Sequence, residues 1–238
     1  MPRHPGSPER TLRAELRVFR IGQVWLTLGI GAIGFGGFFA VNSYVAPMVT
    51  EVAHAPAWAV PVALVISGVG MTIGNLIGGR LADRDLRRTL LGAFVGTGLV
   101  LVLIGLTAQW ILVLAALLFA LNFCGSILAP SIQTRLMDVA EDNQSIAAAL
   151  NHSALNVGNS LGAFFGGTVI AAGWGFVAPA WVGAAMAAVG LALAAVGFSL
   201  VRRERELVPP AEQPCPPSSP AVPQLTGVSG GTQPAAQG

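Results

Sequence analysis

The stretch GVGMTIGNLIGGRLADRDLRRTL, residues 68–90, joins an apolar segment with glycine at every fourth position to a loop dense in arginine. Gly70, Gly74 and Gly78 share one face of a helix, because positions four apart lie one above the other. No Asp, Glu, Lys or Arg falls between Glu51 and Arg80, a run longer than the roughly 20 residues that carry a helix across a bilayer. Arg80, Arg84, Arg87 and Arg88 then follow within nine residues, with Asp83 and Asp85 among them. An apolar helix ending abruptly in cations is a helix leaving a membrane, so the fold class expected is an all-α membrane protein.

The composition agrees. Of 238 residues, 53% are hydrophobic and 10% charged, against about 25% charged in an ordinary soluble domain. Too few charges exist to coat a water-soluble particle, which weighs against a soluble enzyme. The net charge of +2 weighs against a nucleic-acid partner. Cys124 and Cys215 lie in unlike surroundings without metal-ligand spacing, so neither a disulfide framework nor a metal site is expected.

Moving outward from residue 68, six apolar stretches emerge at about 24–46, 58–79, 89–107, 110–132, 146–171 and 178–200. All 13 cations are arginines, and with six spans every one of them falls on the same side of the membrane. Short loops retain Lys and Arg on the cytoplasmic side, so both termini are expected there. The domain division is a cytoplasmic segment 1–23, a transmembrane domain 24–201 and a cytoplasmic, Pro-rich tail 202–238 too poor in apolar residues to order. The first segment is too polar for a signal peptide and is kept in the mature chain.

IGNLIGG at 73–79 reappears as VGNSLGA at 157–163, 84 residues later. That offset pairs spans one to three with spans four to six. Triplets of odd number insert with opposite orientation, which gives a 3+3 inverted repeat. The second glycine stripe is Gly158, Gly162 and Gly166. Such stripes let backbones approach closely where the hydrophobic effect is absent, either within the chain or as a docking face for a second bundle.

Gly79, Asp83, Arg84, Arg87 and Arg88 resemble the loop signature of the major facilitator superfamily of transporters, with Leu86 where that family usually has glycine. VWLTLGIGAIGFGGFFAVNSYVAPMVTEV and LAPSIQTRLMDVAEDNQSIAAALNHSALNVGNSLGAFFGGTVI look similar to the second half of its drug:proton antiporter branch, the arabinose-exporter-like and chloramphenicol-exporter-like members. The resemblance covers about residues 10–201. It implies one six-helix half of the major facilitator fold in the plasma membrane and a small-molecule substrate carried outward against protons. It also implies a second half from a homodimer or another chain, with a non-transporting remnant or membrane subunit as the alternative. Asp83 would then serve conformational switching.

Ten of the eleven acids fall in expected cytoplasmic segments and Glu51 on the other side, so none reaches the midplane. His152, near the start of the fifth span, is the one proton-responsive candidate, weighed against an interfacial side chain bonded to the loop. Asn42, Tyr44, Asn122 and Asn156 would be costly facing lipid and are candidates for lining a substrate cavity, with inter-helix hydrogen bonds as the plainer account. No nucleophile–base set and no nucleotide loop appears, so no enzymatic activity and no cofactor is expected.

Overall fold

The computed structural model describes residues 22–140 and 144–207, and for 144, 145 and 202–207 the backbone alone. The expected segment 1–23 therefore lies almost wholly outside the described residues, as does most of the tail. The described residues form six long helices: α1 (Gly22–Asn42), α2 (Ala59–Arg84), α3 (Leu86–Thr107), α4 (Ile111–Ala140), α5 (Gln144–Ala171) and α6 (Ala178–Leu207). Five of them, all but α5, are long and apolar enough to cross a membrane. Helix α5 has the length, at 28 residues, but Asn151, Asn156 and Asn159 dilute its apolar content. Helix α6 runs on to Leu207, so residues 202–207 continue it and the Pro-rich composition begins only after its end.

Local chemistry sets the ends and breaks. Helix α1 carries a π-helical turn at Ile30–Gly34 inside a glycine-rich run, where the backbone is least committed to one helical form. It stops at Asn42, and a short helical piece, Val45–Pro47, leads into a second π turn at Met48–Val52. Pro47 explains the stop, since its ring clashes with the carbonyl four residues back and it brings no N–H. Pro130 sits inside α4 without ending it. At the next residue, the Ser131 hydroxyl donates to Ile127 O at 2.8 Å. Between α5 and α6 the chain turns through Gly173 and Gly175 at φ of 84° and 80°, a left-handed backbone that favours glycine.

Helix α4 packs against α2 and α3, α1 packs against α5 and α6, and the two groups meet along α3–α6 and α1–α4. The α2–α4 contact is a backbone contact. A Cβ on Gly70 or Gly74 would fall on the carbonyl oxygens of Phe119 and Phe123, and one on Gly78 would lie 3.0 Å from Ile127 Cα. The partner positions rise in step, so α2 and α4 run parallel. The same holds for α5 on α1, where Gly158, Gly162 and Gly166 face the carbonyl oxygens of Ala32, Gly36 and Ala40. Both stripes are buried and spent inside the chain. This corrects their use as an exposed docking face: at these six positions the close-approaching backbone is the chain's own.

A third glycine row, unremarked in the sequence, is Gly183, Gly190 and Gly197 on α6 at heptad spacing. Gly183 meets Gly37 O and Gly190 meets Gly34 Cα, so α6 runs antiparallel along α1. The core between these seams is apolar and fully buried, with Ile30, Met48, Leu90, Phe94, Leu101, Leu114, Leu121 and Leu128. Trp58, Trp110 and Trp174 are 70%, 65% and 73% exposed. Each begins or precedes an even-numbered helix, and together they mark the end of the bundle opposite Arg80, Arg84, Arg87 and Arg88, where amphipathic rings sit at a membrane surface.

Gly74→Leu and Gly162→Leu should each destabilise the bundle by about 1–3 kcal/mol or more, through overpacking against backbone that has nowhere to move. Gly68→Leu, where nothing lies within 4 Å, should change it little. Thermal unfolding of the monomer in mild detergent measures this, and equal melting of the three variants would remove the stripes from the packing account.

Candidate functional site

The turn between α2 and α3 is built by a residue that the loop signature passes over. Asp85 takes an extended backbone (φ −155°, ψ 89°), and its Oδ1 accepts from Arg88 N at 2.9 Å, which caps the start of α3. Its Oδ2 lies 3.0 Å from Arg88 Nε. The Thr89 hydroxyl donates back to Leu81 O at 2.9 Å, satisfying a carbonyl at the end of α2. With negative φ at the turn, no glycine is needed, so Leu86 fits in the glycine's place. Asp83 is exposed and makes no ion pair among the described residues, and Arg80, Arg84 and Arg87 are exposed beside it. Among the described residues the acid that engages an arginine is thus Asp85 rather than Asp83. An Asp followed three residues later by a backbone donor at a helix start was the available signal.

The cavity candidates separate. Tyr44, just past the end of α1, donates its hydroxyl to Ala163 O at 2.6 Å and lays its ring against Gly166 and Gly167, so it ties that segment to α5. Asn42 donates to Phe38 O at 3.0 Å within its own helix, and Asn122, buried, does the same to Leu118 O at 2.9 Å. Asn156 is exposed and lines a shallow groove with Val157, Ser160, Leu161 and Phe164. His152 is exposed one turn nearer the start of α5, with no hydrogen bond among the described residues.

Sequence reasoning overlooked Asn75. It is exposed on α2 and makes no hydrogen bond among the described residues, and it occupies the place in IGNLIGG that Asn159 occupies in VGNSLGA. The repeat itself was the signal. Around these amides the hydroxyls of Thr72, Ser153, Ser160 and Thr168 return their protons to carbonyls one turn back, which satisfies each donor and leaves the oxygen's acceptor capacity outward. On the opposite side, the exposed middle of α3 and α6 is Val95, Leu99, Leu103, Val189 and Val196. Large apolar side chains are exposed on α2 and α5 as well, Leu64, Val65, Leu76 and Phe164 among them, and the α2–α5 side adds amides that hydrocarbon cannot serve.

The sequence profile of the Major Facilitator Superfamily matches residues 27–234. The chain belongs to the Major Facilitator Superfamily. It is a multi-pass integral membrane protein of a transporter family. It is 33% identical over 176 residues to the inner membrane transport protein YdhP of Escherichia coli K12, covering 74% of this chain and 45% of YdhP. It is 29% identical to the MFS-type transporter YtbD of Bacillus subtilis, covering 67% of this chain and 41% of that protein. To the chloramphenicol resistance protein of Streptomyces lividans it is 30% identical, with the same two coverages, 67% and 41%. The chain thus spans less than half the length of the curated relatives it matches.

Asp85→Ala should lower the stability of the bundle by about 0.5–2 kcal/mol by removing the cap of α3. The exposed Arg88 pair adds little to that. Asp83→Asn should leave the melting midpoint within error of the parent. Paired thermal melts in detergent decide it, and the reverse order of sensitivity would return the structural role to Asp83.

Proposed function

We propose that this chain is a six-helix half of a major facilitator exporter of the drug:proton antiporter branch, working with a second six-helix half to move a small molecule outward across the cytoplasmic membrane. The observation that carries this reading is the contrast between the two sides of the bundle. Asn75, Asn156 and the outward hydroxyls of α2 and α5 suit water, substrate or another bundle, while the apolar flank of α3 and α6 suits lipid. The partner half would cover the first flank, and an amphipathic small molecule would bind between the two.

The helix pairing supports a 3+3 inverted repeat. Exchanging α1, α2 and α3 with α4, α5 and α6 turns the α2–α4 seam into α5–α1 and the α3–α4 contact into α6–α1, each of which is present. At the same offset Gly74 and Gly78 correspond to Gly158 and Gly162, and buried Ala154 and Ala82 complete both rows. The arginine end is the cytoplasmic one in this reading, by the positive-inside rule. Asp83, exposed among Arg80, Arg84 and Arg87, is free to pair when the bundle changes its tilt against the partner half. For proton coupling, His152 is the titratable group on the polar flank, and the remaining coupling groups belong to the partner.

Two chain-level outcomes test this. Vesicles holding the chain with a second copy or a first-half chain of the family, under an imposed pH gradient, should move radiolabelled chloramphenicol. Asn156→Leu and Asp83→Asn should each cut the flux at least tenfold with inserted protein unchanged. Flux unaltered by Asn156→Leu would remove the polar flank from the pathway. No flux under any pairing, from a folded monomer, would make the chain a non-transporting subunit.

A further inference from the structure

Arg135 is one of the 13 arginines that six spans place on the same side of the membrane. It is 3% exposed, inside the bundle. Ile127 meets Gly78, so Arg135, two turns later on α4, stands level with the α2–α3 turn but on the inner face. Its guanidinium carbon lies 4.0 Å from the centre of the Phe198 ring on α6, and Nε donates to Thr27 Oγ1 on α1 at 3.3 Å. One terminal nitrogen rests on Gly197, where a Cβ would collide with it, and Leu26 closes the other side of the same space. Among the described residues neither Nη1 nor Nη2 has a hydrogen-bond partner. Beyond it toward the arginine end, Val24, Leu136, Ala140 and Ala147 form a separate apolar cluster.

The position follows from the glycine row of α6. Gly183 and Gly190 hold α6 tightly on α1, and at Gly197, the third member, the side chain of Arg135 stands where the α1 backbone would continue. A cation thus separates α1 from α6 at one end of a seam that is zipped along the rest of its length.

The balance of forces there has a definite sign. In favour of burial are one ring contact and one long hydrogen bond to a neutral hydroxyl. Against it stand the desolvation of a permanent charge and two orphaned nitrogens. No carboxylate of the described residues reaches the guanidinium. The second set is the larger, so the closed end of the seam is held shut by the glycine contacts at Gly183 and Gly190 against the pull of Arg135 toward water.

We propose that Arg135 is a spring built into the bundle: a charge confined when the arginine ends of α1 and α6 are together, which drives them apart and is relieved when they separate. Once released, its terminal fork meets water and solution anions. The device rests on the transport reading in one respect, that the bundle has an open and a closed form. Its test is independent of flux.

Spin labels at Gly22→Cys on α1 and Leu200→Cys on α6, both exposed positions, report the separation of these ends in lipid nanodiscs, in a chain carrying Cys124→Ala and Cys215→Ala. The parent should show a short and a long distance. Arg135→Met, which fills the same space without charge, should reduce the long-distance population at least tenfold and raise the thermal midpoint. Phe198→Leu, which removes the ring contact and leaves the charge, should enlarge that population several-fold. A Met variant that melts below the parent or fails to insert overturns the proposal, because the charge would then be holding the bundle together. So does an unchanged distance distribution in both variants. Absence of flux from a parent that passes the distance test would count against the transport reading alone.

Discussion

Close contact between glycine faces and neighbouring backbone is the interaction on which the rest of this bundle depends. Lipid tails are as apolar as leucine, so helices in a bilayer gain little from hiding apolar side chains and associate through packing and hydrogen bonds instead. Gly70, Gly74 and Gly78 bring α2 onto α4, Gly158, Gly162 and Gly166 bring α5 onto α1, and Gly183 and Gly190 bring α6 onto the same α1. Each seam removes side chains from the line of contact, so backbone meets backbone along several turns. The large side chains then fill the spaces between seams, as Phe38 does against Gly125 and Phe94 against Gly34.

These seams determine which surfaces remain. With α1 and α4 covered on two sides, the exposed surface falls largely to α2 and α5 on one flank and to α3 and α6 on the other. The polar residues follow that division. The exposed amides Asn75 and Asn156 lie on the first flank, although large apolar side chains are exposed on both. A bundle with two unlike flanks suits a location between lipid and an aqueous or protein neighbour, which is where a transporter half in this family would stand.

Both ends of the bundle also use few residues for definite tasks. Asp85 and Thr89 turn the chain between α2 and α3 through two side-chain hydrogen bonds and leave Asp83 outside the local structure. At the opposite end Tyr44 pins α1 to α5 through one short bond to Ala163. Tyr44 had been open to a cavity-lining reading. Its neighbours in space show it occupied, whereas Arg135 is buried with both terminal nitrogens unpaired among the described residues.

The sequence by itself determined the solvent, the helices and their approximate limits, because burial in hydrocarbon demands about 20 uncharged residues and the arginines mark where each crossing ends. It also marked the repeat, since IGNLIGG and VGNSLGA carry the same small-residue spacing. What it could not determine was which helix each glycine stripe meets: a stripe specifies close approach and is silent about the partner. Asn75, Tyr44 and Arg135 show the same limit from the side-chain direction. A polar residue in an apolar run must be satisfied, and whether by its own turn, by a neighbouring helix or by something beyond the chain depends on which backbones are brought beside it, which only the tertiary packing decides.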